Sequence, residues 1–165
     1  MNGLPCDFQL AEIRRQLASD ASESVAIQLG RLGSPMSISI LEAALCDADP
    51  RIRTSAARGL RAAGRAARQA VEALVARLDD PVWAVVIETA SALGHLGEHA
   101  IGALRALEGM LWTERWRCVV ESDVGPQARD ALGTPLGDLM DAKAAEVRQA
   151  LIDAVEAVRS SHPAQ

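Results

Sequence analysis

The stretch with the most distinctive chemistry holds six arginines and no acidic residue: Arg51, Arg53, Arg58, Arg61, Arg65 and Arg68. A guanidinium presents a planar fork of donors that matches a carboxylate or a phosphate. The stretch is therefore a candidate site for phosphate, nucleic acid or an acidic protein. In the alternative interpretation it is a solvated face that pairs with acids of neighbouring units, such as Glu42, Asp47 or Glu72. We expect Arg53 to be structural and to join adjacent units through an acid.

A second candidate site contains Trp112 and Trp116, which are four residues apart and share one face if the chain is helical there. Arg115 and Arg117 lie beside them. Tryptophan and arginine are frequent anchors of protein interfaces. The alternative is that both tryptophans fill a gap where the helical pattern becomes irregular. For Trp83, which replaces an aliphatic residue of the preceding copy, core filling is the favoured interpretation.

No catalytic or metal-binding motif stands out in the sequence. His95 and His99 are four residues apart with Glu98 beside them, but this is not a HExxH arrangement and no third ligand is evident, so ordinary turn histidines are favoured. The sequence contains no G-x-S-x-G elbow and no phosphate-cradling glycine loop. We therefore expect no enzyme activity, no metal and no cofactor, although a site assembled across helices would leave no such motif.

Composition argues against two classes of partner. A net charge of -5 over 165 residues disfavours non-specific binding of nucleic acid. No run of 18 apolar residues is present, and the first twenty residues lack a basic segment followed by an apolar run, so neither a membrane span nor a signal peptide is predicted. The three cysteines are far apart and odd in number. They suit reduced cysteines in a cytoplasmic protein.

The elements that carry these residues follow a helix–turn–helix pattern. One copy spans 49–78 and another 80–111, offset by 31 residues at the Asp-Pro pairs and by 33 at later landmarks. An earlier copy spans 20–46. A period in this range indicates stacked helical repeats. Apolar spacing predicts helices at 21–32, 37–46, 50–62, 66–78, 82–95 and 99–111.

Local signals predict where these helices begin and end. Asp49 caps the helix at 50–62, and Gly64 ends it. Ser39 and Glu42 have capping-box spacing near the start of the helix at 37–46, and a start one or two residues earlier is the alternative. These signals place a turn between the two helices of each copy.

The two ends of the chain are predicted to be atypical. Residues 7–18 form an N-terminal cap helix, and residues 113–159 form an irregular last repeat and cap. Within it, the apolar spacing suits either a last helix at 144–159 or one long helix from residue 135. Residues 160–165 are expected to fray. The whole chain, 1–165, is predicted to be a single domain.

The segment Asp-Pro-Arg-Ile-Arg-Thr-Ser-Ala-Ala-Arg-Gly-Leu at 49–60, closed by Gly64, resembles a HEAT-type repeat. It is most similar to the short repeat of the PBS-lyase-like HEAT family, and Leu-Gly-His-Leu-Gly at 93–97 resembles the end of that repeat. The copy at 80–97 departs from the pattern at Trp83 and Ala84. The resemblance implies an all-α, right-handed α-solenoid of about four helix pairs with atypical terminal caps. It implies little about activity, because such repeats occur in scaffolds, adaptors and lyase accessory subunits.

These predictions lead to three functional hypotheses. The first is a non-catalytic scaffold or adaptor that binds another protein on a concave surface lined by the second helices. Its predicted binding residues are Arg61, Arg65, Arg68, Glu72, Arg105, Glu108, Trp112, Arg115 and Trp116. The second hypothesis, implied by the family resemblance, is an accessory subunit of a bilin lyase. The third is binding of phosphate or nucleic acid through the cluster Arg51–Arg68.

Overall fold

The chain is all-α wherever its structure is described. A computed structural model describes residues 15–16, 22–112 and 135–161, and these ranges contain α-helices and 3₁₀ segments but no strand. Most of the predicted cap at 7–18, residues 113–134 and most of the predicted tail at 160–165 lie outside them. The elements are α1 (Ser22–Leu32), α2 (Pro35–Ala44), α3 (Pro50–Ala63), the 3₁₀ segment η1 (Gly64–Ala70), α4 (Val71–Arg77), α5 (Trp83–Leu96), the 3₁₀ segment η2 (Gly97–Ala103), α6 (Leu104–Trp112) and α7 (Pro135–Ser160).

The helices start at local caps, though not always at the predicted ones. The Asp49 carboxylate accepts a hydrogen bond from the Arg51 N–H, which confirms the predicted start of α3. α2 begins two residues earlier than predicted because the Ser34 hydroxyl accepts a hydrogen bond from the Ser37 N–H. The predicted Ser39–Glu42 capping box is therefore wrong, since both of its residues lie inside α2.

Glycines turn the chain at the end of each first helix. Gly64 ends α3 with a φ of 52°, and Gly97 ends α5 with a φ of 54°. Gly33 adopts a φ of 58° after α1. A residue with a Cβ is strained at such angles, so glycine is the residue that ends these helices with this geometry.

Two of the three predicted second helices are not continuous α-helices, contrary to prediction. The spans predicted as helices at 66–78 and 99–111 each begin inside a seven-residue 3₁₀ segment that precedes a shorter α-helix. The buried alanines fit this geometry: Ala67 and Ala70, like Ala100 and Ala103, are three residues apart. A 3₁₀ helix has three residues per turn, so both members of each pair face the core.

The elements form two layers with the apolar core between them. α1, α3, α5 and α7 pack successively side by side in the first layer, and α2, η1–α4 and η2–α6 form the second layer. Both layers contribute leucines that are completely buried: Leu41, Leu60, Leu74, Leu93 and Leu107. Burial of each side chain stabilises the fold by roughly 1.5–3 kcal/mol.

Small residues allow the first-layer helices to approach closely. A Cβ at Gly30 of α1 would overlap the carbonyl oxygen of Gly59 in α3, and a Cβ at Gly59 would lie 2.6 Å from the carbonyl oxygen of Ala26. α5 and α7 meet in a similar way, because a Cβ at Gly94 would lie 3.2 Å from the Cα of Ala154. Glycine therefore fixes where one first-layer helix rests on the next.

α7 is one long helix, so the second of the two predicted alternatives, a helix from residue 135, is correct. It contacts α5, η2 and α6, and thereby extends the first layer beyond α5. The Lys143 ammonium lies 4.1 Å from the centroid of the Trp83 ring, within the range of a cation–π contact. Trp83 is half-buried and packs against the core, as predicted, and it also links α5 to α7.

Candidate partner-binding surface

Arg53 joins the second helix pair to the third through a buried ion pair with Asp80. Its Nε and Nη2 atoms donate to the two Asp80 carboxylate oxygens at 2.8 Å each. The two side chains are only 9% and 1% exposed. The hydrogen bond to Asp80 raises the pKa of the Arg53 guanidinium, in opposition to its desolvation. The predicted structural role of Arg53 is confirmed.

Arg58 and Arg61 join α3 to its two first-layer neighbours, α1 and α5. Arg58 pairs with Glu23 of α1 at 2.7 Å and with Glu88 of α5 at 2.8 Å. Arg61 lies 3.1 Å from Glu88. Burial lowers the pKa of Arg58, but the hydrogen bond and the charge of Glu88, together with Glu23, outweigh it and raise the pKa. Glu23 and Glu88 are not among the predicted partners. They reach these arginines because α3 lies between α1 and α5.

The six arginines therefore do not form one cluster. Arg51, Arg65 and Arg68 are exposed and make no ion pair within the described residues. α3 has 14 residues and is about 21 Å long, so Arg51 and Arg65 lie at opposite ends of it. Ion pairs with Asp80, Glu23 and Glu88 neutralise the other three arginines. This division removes much of the charge on which the phosphate hypothesis depends.

Two of the predicted binding residues, Arg68 and Glu72, line one groove in the second layer. The groove lies between α4 and η2, has a volume of about 450 Å³ and is also lined by Gln69, Val71, Val75 and Gly102. The two valines are half-buried and form an apolar floor, whereas Arg68 and Glu72 are exposed and place one charge of each sign at the rim. A recess of this size and lining can accept a side chain of a partner.

The other predicted binding residues differ in how available they are. Arg105 is exposed and makes no ion pair within the described residues, and Trp112 is 85% exposed. Glu108 is already engaged, because Arg159 of α7 donates a hydrogen bond to it at 2.6 Å. The predicted contributions of Arg115 and Trp116 lie outside the described residues. Of the predicted residues in α6, Arg105 and Trp112 are therefore available to a partner, whereas Glu108 is paired.

A second groove, which the sequence analysis missed, crosses α5 in the first layer. Arg61 of α3 forms one wall and Asp153 of α7 the other, with Ser91 and Gly94 between them, and the volume is about 470 Å³. Arg61 is held at this wall because its Nη1 lies 3.3 Å from the Ser91 hydroxyl oxygen. No local motif reveals this groove, because it exists only where α7 packs against α5.

The two histidines do not form a metal site with each other. His95 Nδ1 lies 2.9 Å from the carbonyl oxygen of Ser91 in its own helix. His99 lies 3.8 Å from the adjacent carboxylate of Glu98. In the described part of the chain, no three His, Cys, Asp or Glu side chains are grouped so that they could hold a metal ion.

Comparison with known proteins does not assign the chain to a family. No family model matches the sequence, and no curated protein is significantly similar to it. Among the described helices, none combines the length and the apolar character that crossing a membrane requires.

Proposed function

We propose that the chain is a non-catalytic scaffold that binds another protein on its second layer. We also propose that its helices form a right-handed solenoid of about four HEAT-like helix pairs. The observation that carries this proposal is the position of the exposed apolar side chains. Four large hydrophobic residues are exposed in the described ranges: Leu32, Met36, Ile101 and Trp112. Three of these belong to the second layer: Met36 is 61% exposed, Ile101 43% and Trp112 85%. Large apolar side chains that remain exposed within one layer favour a protein-binding surface there.

The groove between α4 and η2 supports the same face. Its floor of Val71 and Val75 offers apolar area to a partner side chain, and Ile101 adjoins the groove residue Gly102. The opposite charges of Arg68 and Glu72 at the rim favour one orientation of a partner over its reverse. Apolar contact and charge pattern thus occur together on the second layer.

Site-specific photo-crosslinking in extract of the source cells tests the proposal. Benzoylphenylalanine replaces Ile101 or Trp112 on the second layer, and it replaces Gln149 or Glu156, both exposed on α7, in matched control variants. We expect the same protein to be captured from both second-layer positions and from neither α7 position. Capture from all four positions alike, from α7 alone, or from none of them would contradict the proposal.

The captured partner then allows a quantitative test. Trp112→Ser and Ile101→Ser should each weaken its binding about tenfold, because each removes an exposed apolar contact of about 1.4 kcal/mol. Thermal unfolding should be unchanged, since neither side chain belongs to the core. Equal affinity of both variants and the wild type would place the binding surface elsewhere.

A further inference from the structure

One corner of the second layer carries two exposed cations. Arg65 and Arg68 on η1 are exposed and make no ion pair within the described ranges, even with Glu72. They are three residues apart in a 3₁₀ helix, so they project from the same side with their Cα atoms about 6 Å apart. Arg53 and Arg58 on α3, in contrast, each have a carboxylate partner.

Two exposed apolar side chains flank a turn that touches η1. Leu32 at the end of α1 is 72% exposed, and Met36 at the start of α2 is 61% exposed. The turn between them touches η1, because a Cβ at Gly33 would lie 3.4 Å from the Ala66 Cβ. Ala66 is itself exposed and stands between the two arginines in sequence. We define the basic–apolar corner as Leu32, Met36, Arg65, Ala66 and Arg68.

We infer that the basic–apolar corner binds an acidic peptide segment of the partner, anchored by a large apolar side chain. This inference rests on the proposed function and names the chemistry of the partner at one end of the second layer. Two neighbouring guanidiniums repel each other, and each can take a carboxylate with two parallel hydrogen bonds. Leu32 and Met36 are removed from water only if the partner is apolar where it meets them, and methionine adapts its shape readily to such a contact.

A peptide matches this corner better than a nucleic acid does. The net charge of -5 repels a long polyanion, whereas a short segment meets mainly the local field of the two arginines. That field is screened over about 8 Å at physiological salt. A phosphate backbone would also leave Leu32 and Met36 in water. The two kinds of side chain together therefore favour a ligand that is both acidic and apolar.

Selection of phage-displayed random peptides on the full-length chain tests the inference, followed by fluorescence anisotropy with the selected peptides. The enriched peptides should carry several acidic residues around a leucine, isoleucine, phenylalanine or methionine. Arg65→Glu/Arg68→Glu and Leu32→Ser/Met36→Ser should each weaken binding by about tenfold or more. Both variants should unfold at the wild-type temperature, because all four side chains are exposed.

A charge-matched control separates local contact from net charge. Arg51→Glu/Arg148→Glu changes the net charge equally, at exposed arginines on α3 and α7, and should leave peptide binding unchanged apart from a small long-range effect. Equal weakening by this control would overturn the inference. Failure to select any peptide, selection of peptides without acidic residues, or full binding to Arg65→Glu/Arg68→Glu would do the same.

A single-stranded oligonucleotide serves as the competing probe. Binding that requires the two arginines but not Leu32 and Met36 would indicate phosphate recognition and overturn the peptide inference. The crosslinking experiment at Ile101 and Trp112 distinguishes a failure of the corner from a failure of the proposed function. If crosslinks persist there while the corner fails, the proposed function stands and only the corner is wrong. If both fail, both proposals fall.

Discussion

Replacement of Arg53 by methionine should cost the fold about 3 kcal/mol, near the low end of the range for breaking a buried ion pair. Methionine retains an apolar chain of similar length but removes the guanidinium. Asp80, which is 1% exposed, then keeps only the Val82 N–H at 3.0 Å and the more distant Arg77 at 3.8 Å. A buried carboxylate without its main counter-ion accounts for most of the loss.

The backbone loses partners in the same variant. Arg53 Nη1 donates to the carbonyl oxygens of Asp47 and Ala48 at 2.9 and 3.0 Å, and methionine offers no donor to replace it.

Because the pKa of Arg53 is raised in the folded chain, the guanidinium stays charged at every pH below its ordinary pKa. Its contribution to stability declines only as the pH rises through the raised value. The stability difference should therefore show no dependence on the Arg53 proton between weakly acidic and weakly alkaline pH.

Urea unfolding followed by far-UV circular dichroism measures the effect. Arg58→Met is the matched control, because it removes a guanidinium that is 31% exposed and should cost at most about 1 kcal/mol. Arg53→Met should lower Tm by roughly 6–12 °C, because each kcal/mol of lost stability lowers Tm by about 2–4 °C in a chain of this size. Adding Asp80→Asn to Arg53→Met should restore roughly 1–2 kcal/mol of stability, since it removes the buried negative charge that lost its counter-ion. Equal stability of Arg53→Met and Arg58→Met, or no rescue by Asp80→Asn, would refute this reasoning.

Four further sites test the backbone and the core by thermal and urea unfolding. Gly30→Ala should destabilise the fold by roughly 1–3 kcal/mol, because its Cβ overlaps the Gly59 carbonyl oxygen. Gly109→Ala in α6, where none of the described residues lies within 4 Å of the added Cβ, should instead stabilise it by about 0.5–1 kcal/mol. Gly64→Ala should cost about 1–3 kcal/mol despite equally open space, because its φ is 52°; no loss would show that the turn relaxes. Thr89→Val should stabilise by about 1 kcal/mol, since Thr89 Oγ1 is buried without a hydrogen-bond partner in the described structure; destabilisation would show that this hydroxyl has one.

The beginnings and ends of the helices could be predicted because their causes are local. Asp49 caps α3 through a hydrogen bond to a residue two positions away, and Gly64 ends it with its own φ angle. The 3₁₀ segments could not be predicted in the same way. The apolar positions at Ala67, Ala70 and Leu74 are spaced by three and four residues, which suits an α-helix as well as a 3₁₀ turn followed by one.

The candidate surface was only partly predictable for a related reason. Arg68, Glu72 and Trp112 could be selected as surface residues from their place in the helical pattern, and all three are exposed. The engagement of Glu108 by Arg159 could not, because the two residues are 51 positions apart and meet only where α7 packs against α6. Distant partners of this kind leave no trace in local spacing.

The sequence by itself determined that the chain is helical, where most of its helices begin and end, and that Arg53 has a structural role. These properties depend on contacts within a turn or on a charge that is too costly to bury without a partner. Only the tertiary structure decided which arginines remain available to a partner and where the two grooves lie. The physical reason is the stacking of the first layer: glycines such as Gly30 and Gly59 set how closely the helices approach, and that approach brings Glu23 and Glu88 to Arg58 while it leaves Arg65 and Arg68 in solvent.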